Sequence, residues 1–207
     1  MTGKSSIEKA VAALQAHNIE VRLFGSGDEC RDEALSLIPA KSTVGLGGST
    51  TVKQIGLLDA LAGGAYALVN QYEPGISKEE NQRRRRAGLT AQYYVTGVNA
   101  ISEDGELFFL DGIGNRVAAV SYGPERVILV AGVNKICRDE RDAWRRIREK
   151  AAPLNAQRFG VDAPCVRTGV CEDCGVEQRI CNIYVKIHRA FVPGRITLFL
   201  INQNLGF

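Results

Sequence analysis

Apolar residues recur along this chain with two different periods, and the switching between them predicts its architecture. Ile7, Ala10, Val11 and Leu14 are three or four positions apart, the stripe of an amphipathic helix, and Ser5 with Glu8 has capping-box spacing at its start. IEVRLF (19–24) then alternates apolar and polar residues, as a strand does. DECRDEALSLI (28–38) reads as helix until Pro39 ends it. STVGLG (42–47) is a short strand running into glycines, TVKQIGLLDAL (51–61) a helix and AYALVN (65–70) a strand. SKEENQRRRRAGLTA (77–91) predicts a polar helix. YYVTG (93–97) and ELFFL (106–110) predict strands flanking the turn-rich NAISEDG (99–105). RVILVAG (126–132) is a continuous apolar run, typical of a strand buried on both faces. RDERDAWRRIREKAA (138–152) predicts a charged surface helix anchored by Ala143, Trp144 and Ile147, and RITLFLI (195–201) a last strand. Strands alternating with helices predict an α/β fold, a mainly parallel sheet flanked by helices.

Composition sets bounds on this picture. A length of 207 residues suits one domain over 1–207, carrying a cysteine-rich segment at 164–184. With 45% hydrophobic and 24% charged residues, the core forms without help from disulfides or metal. A net charge of +3 fits a small anionic ligand and is too weak to argue for nucleic acid. The consecutive arginines 83–86 do not change this. They spread around a helix, Glu79 and Glu80 can pair with them, and no aromatics interleave. Glu8, Lys9 and Gln15 interrupt the N-terminal apolar residues, so no signal peptide is indicated, and no stretch suits a membrane span. A cytoplasmic protein without membrane contact is expected, with homo-oligomerisation left open.

Four of the six cysteines lie close together. Cys165, Cys171, Cys174 and Cys181 have the spacing C-x5-C-x2-C-x6-C, and Gly169 and Gly175 let the chain bend between them. In a reducing compartment clustered thiols more often hold metal than form disulfides. Four thiolates could complete a tetrahedral zinc site or hold a cubane cluster. Zinc ribbons generally use two C-x2-C knuckles and only one is present, so a 4Fe–4S iron–sulfur cluster is favoured, with zinc as the alternative. Arg167 and Arg179 are placed to hydrogen-bond anionic sulfurs. Cys30 and Cys137 read as ordinary small core residues.

A second candidate is VGLGGSTTVKQIG (44–56), a strand, a glycine turn and a helix start. Gly47 and Gly48 allow close backbone approach, and the amides of Ser49, Thr50 and Thr51 would face an anion. The pattern matches neither the dinucleotide nor the P-loop fingerprint. In NAISEDGELFFLDGIGNR, Asn115 and Arg116 open an apolar helix at a glycine turn and could orient a carboxylate or phosphate. Glu103, Asp104 and Asp111 could face the same cleft, although for Glu103 and Asp104 a solvated hairpin turn is the safer reading. With only His17 and His188, histidine-based nucleophilic catalysis has little support.

GLGGSTTVKQIGL, followed by TGVNAISEDGELFFLDGIGNRVAAVSYGPERVILVAGVNKI (96–136), strongly resembles the LUD-domain family, named for lactate utilisation. The resemblance runs from about residue 5 to the C-terminus, and PCVRTGVCEDCGVEQRICNIY looks like the cysteine-rich segment of a subgroup of short members. It implies the fold shared with ribose-5-phosphate isomerases and CoA-transferases, where a similar glycine turn holds phosphate or a CoA-linked acyl group. It also implies a part in oxidising lactate or a related 2-hydroxy acid, alongside an iron–sulfur redox partner protein. Gln92 departs from the family, whose members commonly carry an acidic residue there. The main expectation is therefore an iron–sulfur protein that binds a small anionic metabolite and takes part in electron transfer. The alternatives are a non-redox binding or assembly subunit with a structural zinc, and a phosphosugar or CoA-thioester enzyme using the glycine loop. No catalytic residue is assigned.

Overall fold

The computed structural model describes residues 5–207, and its first element opens where the capping box predicts. Ser5 Oγ accepts from the Glu8 amide at 3.3 Å, and the Glu8 carboxylate accepts from the Ser5 amide at 2.7 Å, so α1 (Ser6–Ala16) starts with its orphan donors satisfied. Strand β1 (Glu20–Phe24) and helix α2 (Gly27–Leu37) follow, the latter with a second capping box at Ser26. After β2 (Thr43–Leu46), the single helix expected over 51–61 is two, α3 (Thr50–Gln54) and α4 (Leu57–Gly63). Gly56 sits between them at φ 71°, a left-handed conformation through which a right-handed helix cannot continue.

Next come β3 (Ala67–Val69), α5 (Lys78–Ala87) with a 3-10 turn at its end, and β4 (Tyr93–Gly97). Inside the expected turn lies a short strand, β5 (Ala100–Ser102), paired antiparallel with β6 (Leu107–Asp111). Three residues, all buried, are too few to show a period. Helix α6 (Asn115–Ser121), β7 (Arg126–Gly132) and β8 (Ile136–Cys137) follow. The charged helix begins as α7 (Glu140–Arg146), passes through a π-helical turn at Ile147–Ala151 and continues as α8 (Ala152–Arg158). Pro153 lies just past the π-helical turn, where the hydrogen-bond register of the helix changes and the missing proline amide is accommodated. Helix α9 (Pro164–Thr168), β9 (Ile183–Ile187) and β10 (Ile196–Ile201) complete the chain. Strand β9 has no counterpart in the sequence reading, although IYVKI alternates half-buried and exposed residues.

Six strands form one sheet in the order β1-β10-β7-β4-β2-β3, parallel at every pairing. Strands β8-β5-β6-β9 form a smaller mixed sheet. The uninterrupted apolar run of β7 is explained by burial on both faces. Val127, Leu129 and Ala131 join the core beneath α1, α6 and the small sheet, while Ile128 and Val130 join the core beneath α2 and α4. Cys30 is fully buried in that second core, as expected of a structural thiol. Among the described residues no helix is long and apolar enough to cross a membrane.

Candidate functional site

The parallel strands β2, β4 and β7 are neighbours, and the segments leaving their carboxyl ends surround a cleft of about 250 Å³. The chain leaves β2 for β3 on one side and returns to β4 on the other, so the cleft lies at the switch point where open α/β sheets bind ligands. Of the residues singled out, Gly48, Ser49, Thr50, Thr51, Asn115, Arg116 and Asp111 line it. Gly47 does not. It packs against Thr96, whose hydroxyl a Cβ at 47 would strike. A Cβ at Gly48 would come 2.9 Å from the Tyr72 hydroxyl. Packing requires glycine at 47, while a side chain at 48 would push the Tyr72 hydroxyl and reshape the cleft.

Several of these groups are already engaged. Ser49 Oγ caps α3 by accepting from the Val52 amide at 3.2 Å. Thr51 is fully buried, and its hydroxyl accepts from Lys135 Nζ at 3.0 Å. Thr50 keeps its hydroxyl free of protein partners among the described residues. Arg116 is buried and donates to the Gly97 carbonyl at 3.3 Å, the Asn99 side chain at 2.9 Å and the Leu110 carbonyl at 2.6 Å, with Asp111 at 3.8 Å. It clamps β4 to β6 as well as facing the cleft, so its removal would orphan buried carbonyls and not merely delete a ligand contact. Asp111 in turn accepts from the Val117 and Gly112 amides. Asn115 accepts from Arg85 at 3.1 Å, which makes Arg85 the one residue of the arginine run to reach the cleft.

Glu103 lies elsewhere, bonded to Ser6 and Lys9 at the hairpin joining β5 to β6, and Asp104 is in the same turn. Gln92 is at the opposite, amino end of the sheet, where its side chain accepts from the Thr43 amide at 3.0 Å.

Lys135 was missed by the sequence reading. It ends a 3-10 turn directly after β7, is 4% exposed, and donates from Nζ to Thr51 and to the Val98 carbonyl, both at 3.0 Å. Burial, reinforced by Arg146 and Arg116, holds its pKa down to about 7. The available signal was its position, a lysine just past the carboxyl end of the most apolar strand. Arg158, stacked at 4.5 Å on Phe159, completes the cations of the cleft, and burial lowers its pKa.

Cys165, Cys171, Cys174 and Cys181 together border a separate cavity of about 20 Å³. All four are free thiols and half-buried. Ala152, Ala156, Val161 and Ala163 supply an apolar wall. Burial first, and then the other three sulfurs, push the Cys165 thiol pKa up. Arg179 donates from Nε to Cys181 Sγ at 3.2 Å, and Arg148 pairs with the Cys171 sulfur. Arg167 instead pairs with Asp162. Among the described residues no three His, Cys, Asp or Glu side chains converge closely enough to hold a single metal ion. Ile180 borders both this cavity and the cleft.

The six-stranded parallel sheet, flanked by helices and open at the carboxyl ends of its strands, defines an α/β protein with a switch-point cleft. The chain belongs to the LUD-domain family, whose model matches residues 7–201. A duf162 family protein from Deinococcus radiodurans has a similar structure, with a TM-score of 0.52 at 15% identity, covering 96% of this chain and 98% of that one. Weaker likenesses, too low to carry an argument, join it to eIF2B beta from Chaetomium thermophilum and to ribose 5 phosphate isomerase A from Neisseria gonorrhoeae. The first has a TM-score of 0.37 at 20% identity over 55% of this chain and 39% of that one. The second has a TM-score of 0.34 at 15% identity over 56% and 57%. No curated protein matches the chain.

Proposed function

We propose that this LUD-domain protein holds a 4Fe–4S cluster on Cys165, Cys171, Cys174 and Cys181 and binds a small anionic metabolite in the adjacent cleft. Its part in metabolism is then electron transfer during oxidation of lactate or a related 2-hydroxy acid, with an iron–sulfur partner protein. The observation that carries this reading is the shared wall at Ile180, which sets four clustered thiols beside a cationic cleft.

The donor set fits such a group. Four thiols from one segment border one cavity, and thiolates are the ligands that an iron–sulfur cluster takes. When bound, the cluster would supply a one-electron acceptor. The chain's own residues do the rest. The alanines and Val161 form an apolar wall beside the half-buried sulfurs, and Arg179 and Arg148 donate to Cys181 and Cys171, stabilising thiolate charge. In the cleft, Thr50 and Asn115 offer neutral hydrogen bonds to the metabolite, while Lys135 Nζ, poised near neutrality, can hold a carboxylate or accept a hydroxyl proton.

Anaerobic expression followed by iron, sulfide and zinc analysis and a visible spectrum tests the proposal. About four irons per chain and a brown colour are expected, lost in Cys171→Ser and Cys174→Ser. Stoichiometric zinc without iron would overturn the redox reading and leave a structural site.

A further inference from the structure

The cations around the cleft outnumber what a monocarboxylate could neutralise. Arg85, Arg116, Arg158 and Lys135 line it, and Asp111 is the one acidic side chain beside them. Asp111 lies beside Arg116 and is held by two backbone amides, so it offsets that guanidinium alone. The other three cations have no carboxylate partner among the described residues. Arg85 is oriented by the Asn81 and Asn115 side-chain oxygens at 2.6 and 3.1 Å. Lys135 is oriented by a hydroxyl and a carbonyl, and Arg158 by an aromatic ring. Neutral partners fix the direction of a charged group without cancelling its charge. Two guanidiniums, joined by Lys135 when it is protonated, therefore converge from separate elements on one cleft, each raising the potential felt by the others.

Size points the same way. A cleft of about 250 Å³ has room for roughly eight waters at ~30 Å³ each, more than a three-carbon acid fills. The Tyr72 hydroxyl, beside Gly48 and close to Arg158, adds a donor at one side.

We infer that the metabolite bound in this cleft is a dianion, a phosphomonoester or dicarboxylate of hydroxy-acid size, with Arg85 and Arg158 binding the charge that a monocarboxylate such as lactate lacks. The inference rests on the cleft being the metabolite site, as proposed above. Guanidiniums suit this task because each can give two parallel bonds to a carboxylate or phosphate.

Calorimetry on the full chain with lactate, malate and glycerol 3-phosphate tests it, using wild type, Arg85→Gln and Arg158→Gln, with melting curves to verify folding. Malate or glycerol 3-phosphate should bind wild type at least about tenfold more tightly than lactate, and which of them binds identifies the class of dianion. Each substitution should weaken dianion binding about tenfold while changing lactate binding less than about threefold, as loss of one charge-assisted contact predicts. Lactate binding as tightly as both dianions would overturn the inference and leave the cleft as the metabolite site. A dianion preference undiminished in both variants would also overturn it. Failure of wild type to bind any of the three would remove the metabolite site and this inference together.

Discussion

Lys135 is where one residue's environment has the clearest measurable consequence. Its pKa in the folded chain is about 7, against an ordinary 10.5. Between those values the unfolded chain holds a proton that the folded chain has released, so this residue makes stability rise with pH across that window. Below pH 7 both states are protonated, and the folded state carries the full cost of a buried ammonium. Lys135→Met removes the effect. Denaturant titrations at pH 7 and 9 should show wild type gaining on the variant by up to about 1.4 kcal/mol per pH unit. Equal gains in the two proteins would mean that Lys135 titrates normally. Arg116 teaches a related lesson. A polar pair at a glycine turn was legible as cleft-facing, but the acceptors that Arg116 serves lie on two different strands and the turn after one of them, at β4, Asn99 and β6, which no helical spacing encodes.

At the scale of elements, local chemistry explains most boundaries. Ser5 with Glu8 starts α1 where expected, because a capping box is a contact within a single turn, and an unread box at Ser26 and Glu29 starts α2 one residue before the expected Asp28. The break between α3 and α4 was missed because glycine only permits the left-handed conformation, and packing of both helices decides that it is used. Gly56→Ala isolates that cost. Only Arg31 lies near the added methyl, at 3.8 Å, so the penalty is conformational, about 1–2 kcal/mol. A lowered urea midpoint with an unchanged slope would show it, while an unaltered midpoint would mean that the helices re-join without strain. Strands β5 and β9 were overlooked for a different reason. Both belong to the small sheet, where a three-residue strand and a half-buried edge leave weak patterns.

For the molecule as a whole, the two large cores lie on the faces of the six-stranded sheet, while Cys165 and Cys174 pack against a small separate cluster of Ala156, Val161 and Ala163. Loss of the proposed metal should therefore leave the main cooperative transition in place and expose 164–184 to protease. Limited proteolysis and a melting curve, with and without chelator under anaerobic conditions, check this. A collapse of the whole transition on chelation would show that the sheet depends on the cysteine segment.

The α/β class, the parallel sheet and the family can all be read from residue order. Periodicity, caps and continuous apolar runs are local consequences of which faces must be buried, and the linked glycine and NAISEDG blocks are specific. Residue order also puts four thiols in one segment, because that proximity is covalent. Which residues stand beside which depends on the folded arrangement. The order of β7, β4 and β2 in the sheet brings residues 48–51, 99, 116 and 135 to one cleft, and α8 with Ile180 sets the thiols against its far wall. Folding also ties the Thr51 hydroxyl to Lys135, 84 residues away, while the Thr50 hydroxyl has no protein partner among the described residues. Such contacts span many tens of residues. No local spacing encodes them, since they exist only once the sheet has aligned its strand ends.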